Sequence, residues 1–286
     1  MHPMTLPANW PHREFSRHIA CRPHLWHVQI MGDGPLLLLL HGAGGATHSW
    51  RHLMPLLAAQ YMVIAMDLPG QGFTRMGSRG RCGVDAIAED IIALCDQQDW
   101  QPAAIIGHSA GAAIALRMAE TRAPKTVIGI NAALGSFDGT AGWLFPMMAK
   151  LLSITPMVPQ IFSKMSGTPA RVKTLLASTG SNIGPEGEAQ YLALVRQSGH
   201  VDGTLAMMAQ WQLDGLLSRL PVQKMPCLLI TASNDKAVPP QVSITAAAKM
   251  PGAVCVDIPG YGHLVHEEAA DKVGDVILPF LASHLA

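Results

Sequence analysis

Ser109 is the residue whose neighbours point most directly to chemistry. It stands in Gly107-His108-Ser109-Ala110-Gly111. A serine hydroxyl becomes a useful nucleophile only when a general base takes its proton and a third group orients that base. The chain offers both downstream, in the order serine, acid, histidine. Asp235 closes Thr231-Ala232-Ser233-Asn234-Asp235, and His263 closes Pro259-Gly260-Tyr261-Gly262-His263. The expectation is a triad: Ser109 attacks, His263 moves the proton and Asp235 orients the ring. The chemistry would be attack on an ester carbonyl, giving an acyl-enzyme that water resolves. Two backbone donors are then needed for the tetrahedral oxygen. The N–H of Ala110 and the N–H of Ala43, in His41-Gly42-Ala43-Gly44-Gly45, are the candidates. His41 and His108 read as supports rather than proton carriers. Asn131 ends another strand at an alternative position for the acid, but an amide cannot serve as a carboxylate; Asp138 is the next candidate.

Groups so far apart in sequence meet only if strands deliver them to one edge. Ala103–Ile106 is an apolar strand, and Ala112-Ala113-Ile114-Ala115-Leu116 opens a helix, so Ser109 falls on a strand-to-helix turn. Leu36–Leu40 reads as a buried central strand that carries the 41–45 loop at its carboxyl end. Phe15–Cys21 and Leu25–Met31 read as antiparallel edge strands, turned off at Gly32-Asp33-Gly34-Pro35. Helical spacing covers Ser49 to Gln60 and Val84–Gln97, with strands at Tyr61–Met66 and Thr126–Ile130. Strands return at Cys227–Ala232 and Val254–Ile258, and a last helix runs from about Glu267 to Leu285. Alternating strands and helices predict an α/β fold: a mostly parallel sheet with helices on both faces.

Between about Asn131 and Leu220 the alternation stops. Helical pieces broken by Pro146, Pro156, Pro159, Pro169 and Pro185 replace it. We read residues 1–130 and 221–286 as one core and 131–220 as an inserted helical cap over the strand ends, where open α/β sheets bind ligands. Apolar cap residues Trp143, Met147, Met148, Phe162, Met207 and Trp211 are the expected pocket lining. Methionine conforms to irregular or flat surfaces.

Bulk properties exclude several classes. Lys and Arg together number 20, as do Asp and Glu, so the formal charge is zero and no basic surface invites nucleic acid. Five scattered cysteines form no C-x-x-C pair, which suits reduced thiols in a cytoplasmic protein. The N-terminal stretch has no apolar core of a secretion signal, and the prolines of the cap leave at most peripheral membrane contact. His263-x-x-His266-Glu267 is not the arrangement of zinc enzymes, so no metal is expected. The 42–45 glycines lack a phosphate-loop register, so no nucleotide cofactor is expected either. The N-terminal histidines His2, His12, His18, His24 and His27 share no ligand spacing and read as solvated.

The His-Gly loop, the Asp67-Leu68-Pro69-Gly70-Gln71-Gly72 turn, the Gly-His-Ser-Ala-Gly turn, the strand-end Asp and the late Gly-Tyr-Gly-His occur in the order of the α/β-hydrolase fold. The chain resembles that superfamily over nearly its whole length. More narrowly it resembles the magnesium-chelatase accessory proteins of bacteriochlorophyll biosynthesis. Leu25-Trp26-His27-Val28-Gln29, Leu36–Trp50 and Gly107–Ala113 carry that likeness. Gly184-Pro185-Glu186-Gly187 and Met207-Met208-Ala209-Gln210-Trp211 are its more specific stretches. Ala43 and Gln71 depart from the Thr and His of the pattern. The resemblance implies a role near magnesium insertion into protoporphyrin IX. It implies a hydrophobic small-molecule substrate, a tetrapyrrole among the candidates, and a chelatase component as partner.

Overall fold

The computed structural model describes residues 5–135 and 158–285. Its strands are β1 (Ser16–Cys21), β2 (His24–Met31), β3 (Leu36–Leu40), β4 (Met62–Met66), β5 (Ala104–His108), β6 (Thr126–Ile130), β7 (Cys227–Ala232) and β8 (Ala253–Ile258). They form one sheet in the order β1-β2-β4-β3-β5-β6-β7-β8. From β4 across to β8 every pairing is parallel, while β1–β2 and β2–β4 are antiparallel. The expected mostly parallel α/β sheet is therefore present. One detail is corrected: β2 is not an edge strand but lies between β1 and β4. Its backbone pairs on both sides, with all of β1 and, through Val28–Met31, with β4.

The five leucines of β3 point alternately to two cores, which is why the run has no polar member. Leu36, Leu38 and Leu40 pack with helices α2 (Val84–Gln97) and α3 (Ala110–Arg122). Leu37 and Leu39 pack with α1 (Leu53–Ala58) and the C-terminal helix on the opposite face. The stretch expected as a helix over 49–60 divides into a 3-10 turn, Thr47–Trp50, and the short α1.

Between β6 and β7 the described chain is helical: α4 (Val158–Ser166), α5 (Pro169–Ser178), α6 (Gly184–Val195), α7 (Ser198–Ala209) and α8 (Asp214–Arg219). Pro169 and Pro185 sit in the first turns of α5 and α6, where the missing N–H costs nothing. Trp143, Met147, Met148 and Asp138 lie outside the described residues. Helix α7 meets the core almost backbone to backbone. A Cβ on Gly203 would lie 2.3 Å from the Gly70 carbonyl oxygen, so only glycine fits at that crossing. Helix α9 (Pro240–Lys249) links β7 to β8. The expected final helix is two, α10 (Val265–Glu268) and α11 (Ala270–Leu285), broken at Ala269.

Candidate active site

Strand β5 ends and α3 begins within one residue, and that residue is Ser109. Its φ of 50° and ψ of −114° lie outside the regions favoured for a residue with a side chain. Such a conformation costs on the order of 1–3 kcal/mol and persists only where its surroundings over-determine it. They do so here. The Ser109 N–H donates to the Ile130 carbonyl at 2.9 Å, and the Ser109 carbonyl accepts from Ala112 and Ala133, each at 3.1 Å. A Cβ on Gly107 would lie 2.3 Å from the Gly111 carbonyl carbon, and one on Gly111 would lie 2.1 Å from the Leu40 oxygen. Glycine at both positions is what lets β3, β5 and α3 close around the serine.

His263 and Asp235 are together. The His263 ring donates Nδ1–H to Asp235 Oδ2 at 2.7 Å, and both residues are buried. Asp235 Oδ1 accepts the N–H groups of Ala237 and Val238, each at 2.8 Å. The carboxylate is thereby pinned by the loop after β7, and the donated Nδ1–H leaves Nε2 as the ring's acceptor. The Ser109 hydroxyl makes no hydrogen bond among the described residues, His263 included. Contacts between base and nucleophile are commonly loose before substrate arrives.

The loop carrying His263 is held from beneath. His108 donates Nε2–H to the His263 carbonyl at 2.9 Å, and Asn131 Nδ2 donates to the Gly262 and His263 carbonyls at 3.2 and 2.9 Å. Asn131 thus faces two oxygens. A carboxylate there would be repelled, so its amide has a function the sequence did not disclose. The His108 ring packs between those of His263 and His266, at 4.7 and 4.3 Å. Burial pushes the pKa values of His108 and His266 well below 6.5, so both rings are neutral at pH 7. His41 joins two strand ends: Nδ1 donates to the Gly42 carbonyl at 2.7 Å and Nε2 accepts the Leu68 N–H at 2.9 Å.

The 42–45 loop approaches the serine turn closely, and a Cβ on Gly42 would lie 3.0 Å from that of Ser109. Among the described residues nothing accepts the N–H of Ala43 or of Ala110. The neighbouring Gly44 N–H donates to Gln71 Oε1 at 2.7 Å, and Gln71 Nε2 donates to Met207 Sδ at 3.2 Å. Gln71 therefore ties the loop to α7. Of the other expected lining residues, Trp211 is half-buried against the core, and Phe162 is 42 % exposed on α4.

The solvated reading of the N-terminal histidines needs correction. His27 is fully buried and donates Nδ1–H to buried Asp67 Oδ2 at 2.7 Å, and buried His24 pairs with Asp90 at 3.1 Å. Both lie on β2 but on opposite faces: His24 turns to α2, which carries Asp90, and His27 to the turn after β4, which carries Asp67. His12 donates to the Arg51 carbonyl at 2.8 Å, and His18 is half-buried; His2 lies outside the described residues. His266 and Glu267 diverge from His263. The His266 ring packs against Trp50 at 4.8 Å, while Glu267 pairs with buried Arg51 and accepts the Tyr191 hydroxyl at 2.8 Å. Burial raises the Glu267 pKa, and Arg51 offsets part of that rise. Among the described residues no three His, Cys, Asp or Glu side chains form a metal cluster. All five cysteines are free thiols; burial pushes Cys82, Cys95 and Cys227 up to about 12, which makes them inert at pH 7. Among the described residues no helix is long and apolar enough to cross a membrane.

The chain is 46 % identical to the magnesium-chelatase 30 kDa subunit of Rhodobacter capsulatus, over 98 % of this chain and 99 % of that protein. It is 28 % identical to a pimeloyl-[acyl-carrier protein] methyl ester esterase of Xanthomonas oryzae, over 90 % of this chain and 99 % of the esterase. Among solved structures, the epoxide hydrolase CorEH superposes with a TM-score of 0.78 at 20 % identity, covering 94 % of this chain and 98 % of the other. A family model for the alpha/beta hydrolase fold matches residues 35–270. The sheet order, the strained turn after β5 and that match agree, and the chain belongs to the alpha/beta-hydrolase fold family.

Proposed function

We propose that this protein is a serine hydrolase acting on an ester of a hydrophobic substrate. The observation that carries the reading is the 2.7 Å bond from His263 Nδ1 to Asp235, on the same sheet edge as the strained Ser109. Ser109 Oγ attacks the ester carbonyl as His263 Nε2 takes its proton. The tetrahedral oxygen is held by the N–H groups of Ala43 and Ala110, the former set by the Gln71 contact one residue on. Collapse breaks the C–O bond, and the alkoxide leaves with the proton from His263. Water, deprotonated by the same ring, attacks the acyl-enzyme and releases the acid. The esterase among the relatives supports this chemistry.

The similarity to the chelatase subunit supports a physiological role near magnesium insertion. It also favours a second reading, in which the protein holds a tetrapyrrole or a chelatase component and hydrolysis is secondary. A fluorophosphonate probe separates the two. Under the hydrolytic reading it labels Ser109 near neutral pH, and Ser109→Ala abolishes the label. A folded wild type that takes no label, yet quenches on titration with protoporphyrin IX, carries the second reading instead.

A further inference from the structure

Helix α4 is built inside out. An amphipathic helix normally turns its apolar side to the core. Here Pro159 and Ser163 face inward, with Ser163 7 % exposed, while Ile161, Phe162 and Met165 stand 48, 42 and 57 % exposed. Ser163 satisfies its hydroxyl locally, on the Gln160 carbonyl. On the neighbouring α5, Leu175 is 53 % exposed, and it lines one shallow depression together with Phe162 and Arg171. The apolar residues of the two helices thus form a single outward face.

The charge carried by these two helices has one sign. From residue 139 to residue 185 the chain contains no Asp or Glu, although Asp and Glu number 20 in the whole sequence. Lys164, Arg171 and Lys173 are all exposed on α4 and α5. Among the described residues none of the three pairs with a carboxylate; Arg171 donates to the Met165 carbonyl of α4. Large apolar side chains on helices whose only charged groups are cations, on a protein of zero formal charge, match the interface of an anionic bilayer. There the chains enter the acyl boundary and the cations meet headgroups.

We infer that the outer face of α4 and α5 is a docking surface for anionic lipid. It would bring the inserted helices to the phase in which a hydrophobic substrate dissolves. The inference does not depend on the hydrolytic reading, because vesicle binding and Ser109 labelling are separate measurements.

The test is co-sedimentation with phosphatidylglycerol–phosphatidylcholine vesicles. The wild type should sediment with them at low salt, stay in solution with pure phosphatidylcholine, and be released at about 0.5 M salt, where screening shortens to a few ångströms. Each basic residue near such a surface is worth about five-fold, so Lys164→Gln/Arg171→Gln/Lys173→Gln together should weaken binding on the order of 100-fold. Phe162→Ser/Met165→Ser should weaken it at least about tenfold. All five side chains are exposed, so circular dichroism should be unchanged. Wild type that does not sediment, or sedimentation that both variants leave unaltered, overturns the inference. A wild-type dimer that Phe162→Ser/Met165→Ser turns into a monomer assigns the face to a second copy of the chain and overturns it as well.

Discussion

Of the three histidine–aspartate pairs among the described residues, two share the same bond. His27 Nδ1 meets Asp67 Oδ2 at 2.7 Å on the antiparallel side of the sheet, and His263 Nδ1 meets Asp235 Oδ2 at 2.7 Å near the far edge. Both carboxylates also accept backbone N–H groups: Thr47 and Phe73 for Asp67, Ala237 and Val238 for Asp235. What differs is the far nitrogen. Among the described residues His27 Nε2 is sealed in without a partner, whereas the His263 side chain keeps 10 % of its surface in contact with solvent. Pairing with a carboxylate therefore does not distinguish a proton carrier from a strut; access to the other nitrogen does.

The comparison breaks most visibly on activity. Asp235→Asn should leave the fold intact and lower ester hydrolysis by about 10⁴, the scale of losing an orienting carboxylate, with Ser109→Ala lower still. Full activity in Asp235→Asn would make both pairs struts. Removing the other partner should act on stability instead. His27→Ala leaves buried Asp67 with only the Thr47 and Phe73 N–H groups, a loss of about 3–5 kcal/mol in urea unfolding. A folded His27→Ala sample should still label at Ser109.

Acid sharpens the contrast further. Asp67 is held down to about 2, below 3.8, with His27 the main opposing influence to its burial. The folded state therefore gives up this proton more readily than the unfolded chain. That contribution is complete above pH 3.8 and disappears as pH falls to about 2, about 2 kcal/mol in all. Acid unfolding of wild type against Asp67→Asn measures it, and equal slopes across that window would remove Asp67 as the cause. Smallest of all is the link between the two sites. Gln71 belongs to the turn after Asp67 yet holds the Gly44 N–H of the loop beside Ser109. Gln71→Ala should lower kcat about five-fold with KM little changed, the value of one hydrogen bond. A change confined to KM would place Gln71 in substrate binding.

Much of the fold was legible because it rests on local patterns. The leucines of β3, the glycines flanking Ser109 and the strand-end positions of Asp235 and His263 each follow from short-range sterics or burial. The histidines show where that reading stops. Nothing near His24 or His27 in sequence announces Asp90 or Asp67, and only the packing of α2 and of the turn after β4 on the two faces of β2 makes them partners. Asn131 was legible as the wrong chemistry for an acid, but its bonds to Gly262 and His263 depend on a loop far along the chain. Helix α9 gave little periodic signal, since its alanines bury a narrow stripe against β7 and β8. Phe162 was read as lining because it is apolar; the outward turn of α4 is set by its packing, which no periodicity encodes.

The glycine crossing of α7 over the 70–72 turn has a consequence for how the protein opens. Gly203 lies against Gly70, and the Gly72 N–H is held by His200 Nδ1 at 3.0 Å, so neither backbone can loosen while the other stays in place. The two segments are expected to open as one cooperative unit. Their amides should exchange with solvent deuterium at a shared opening free energy, although about 130 residues separate them in the chain.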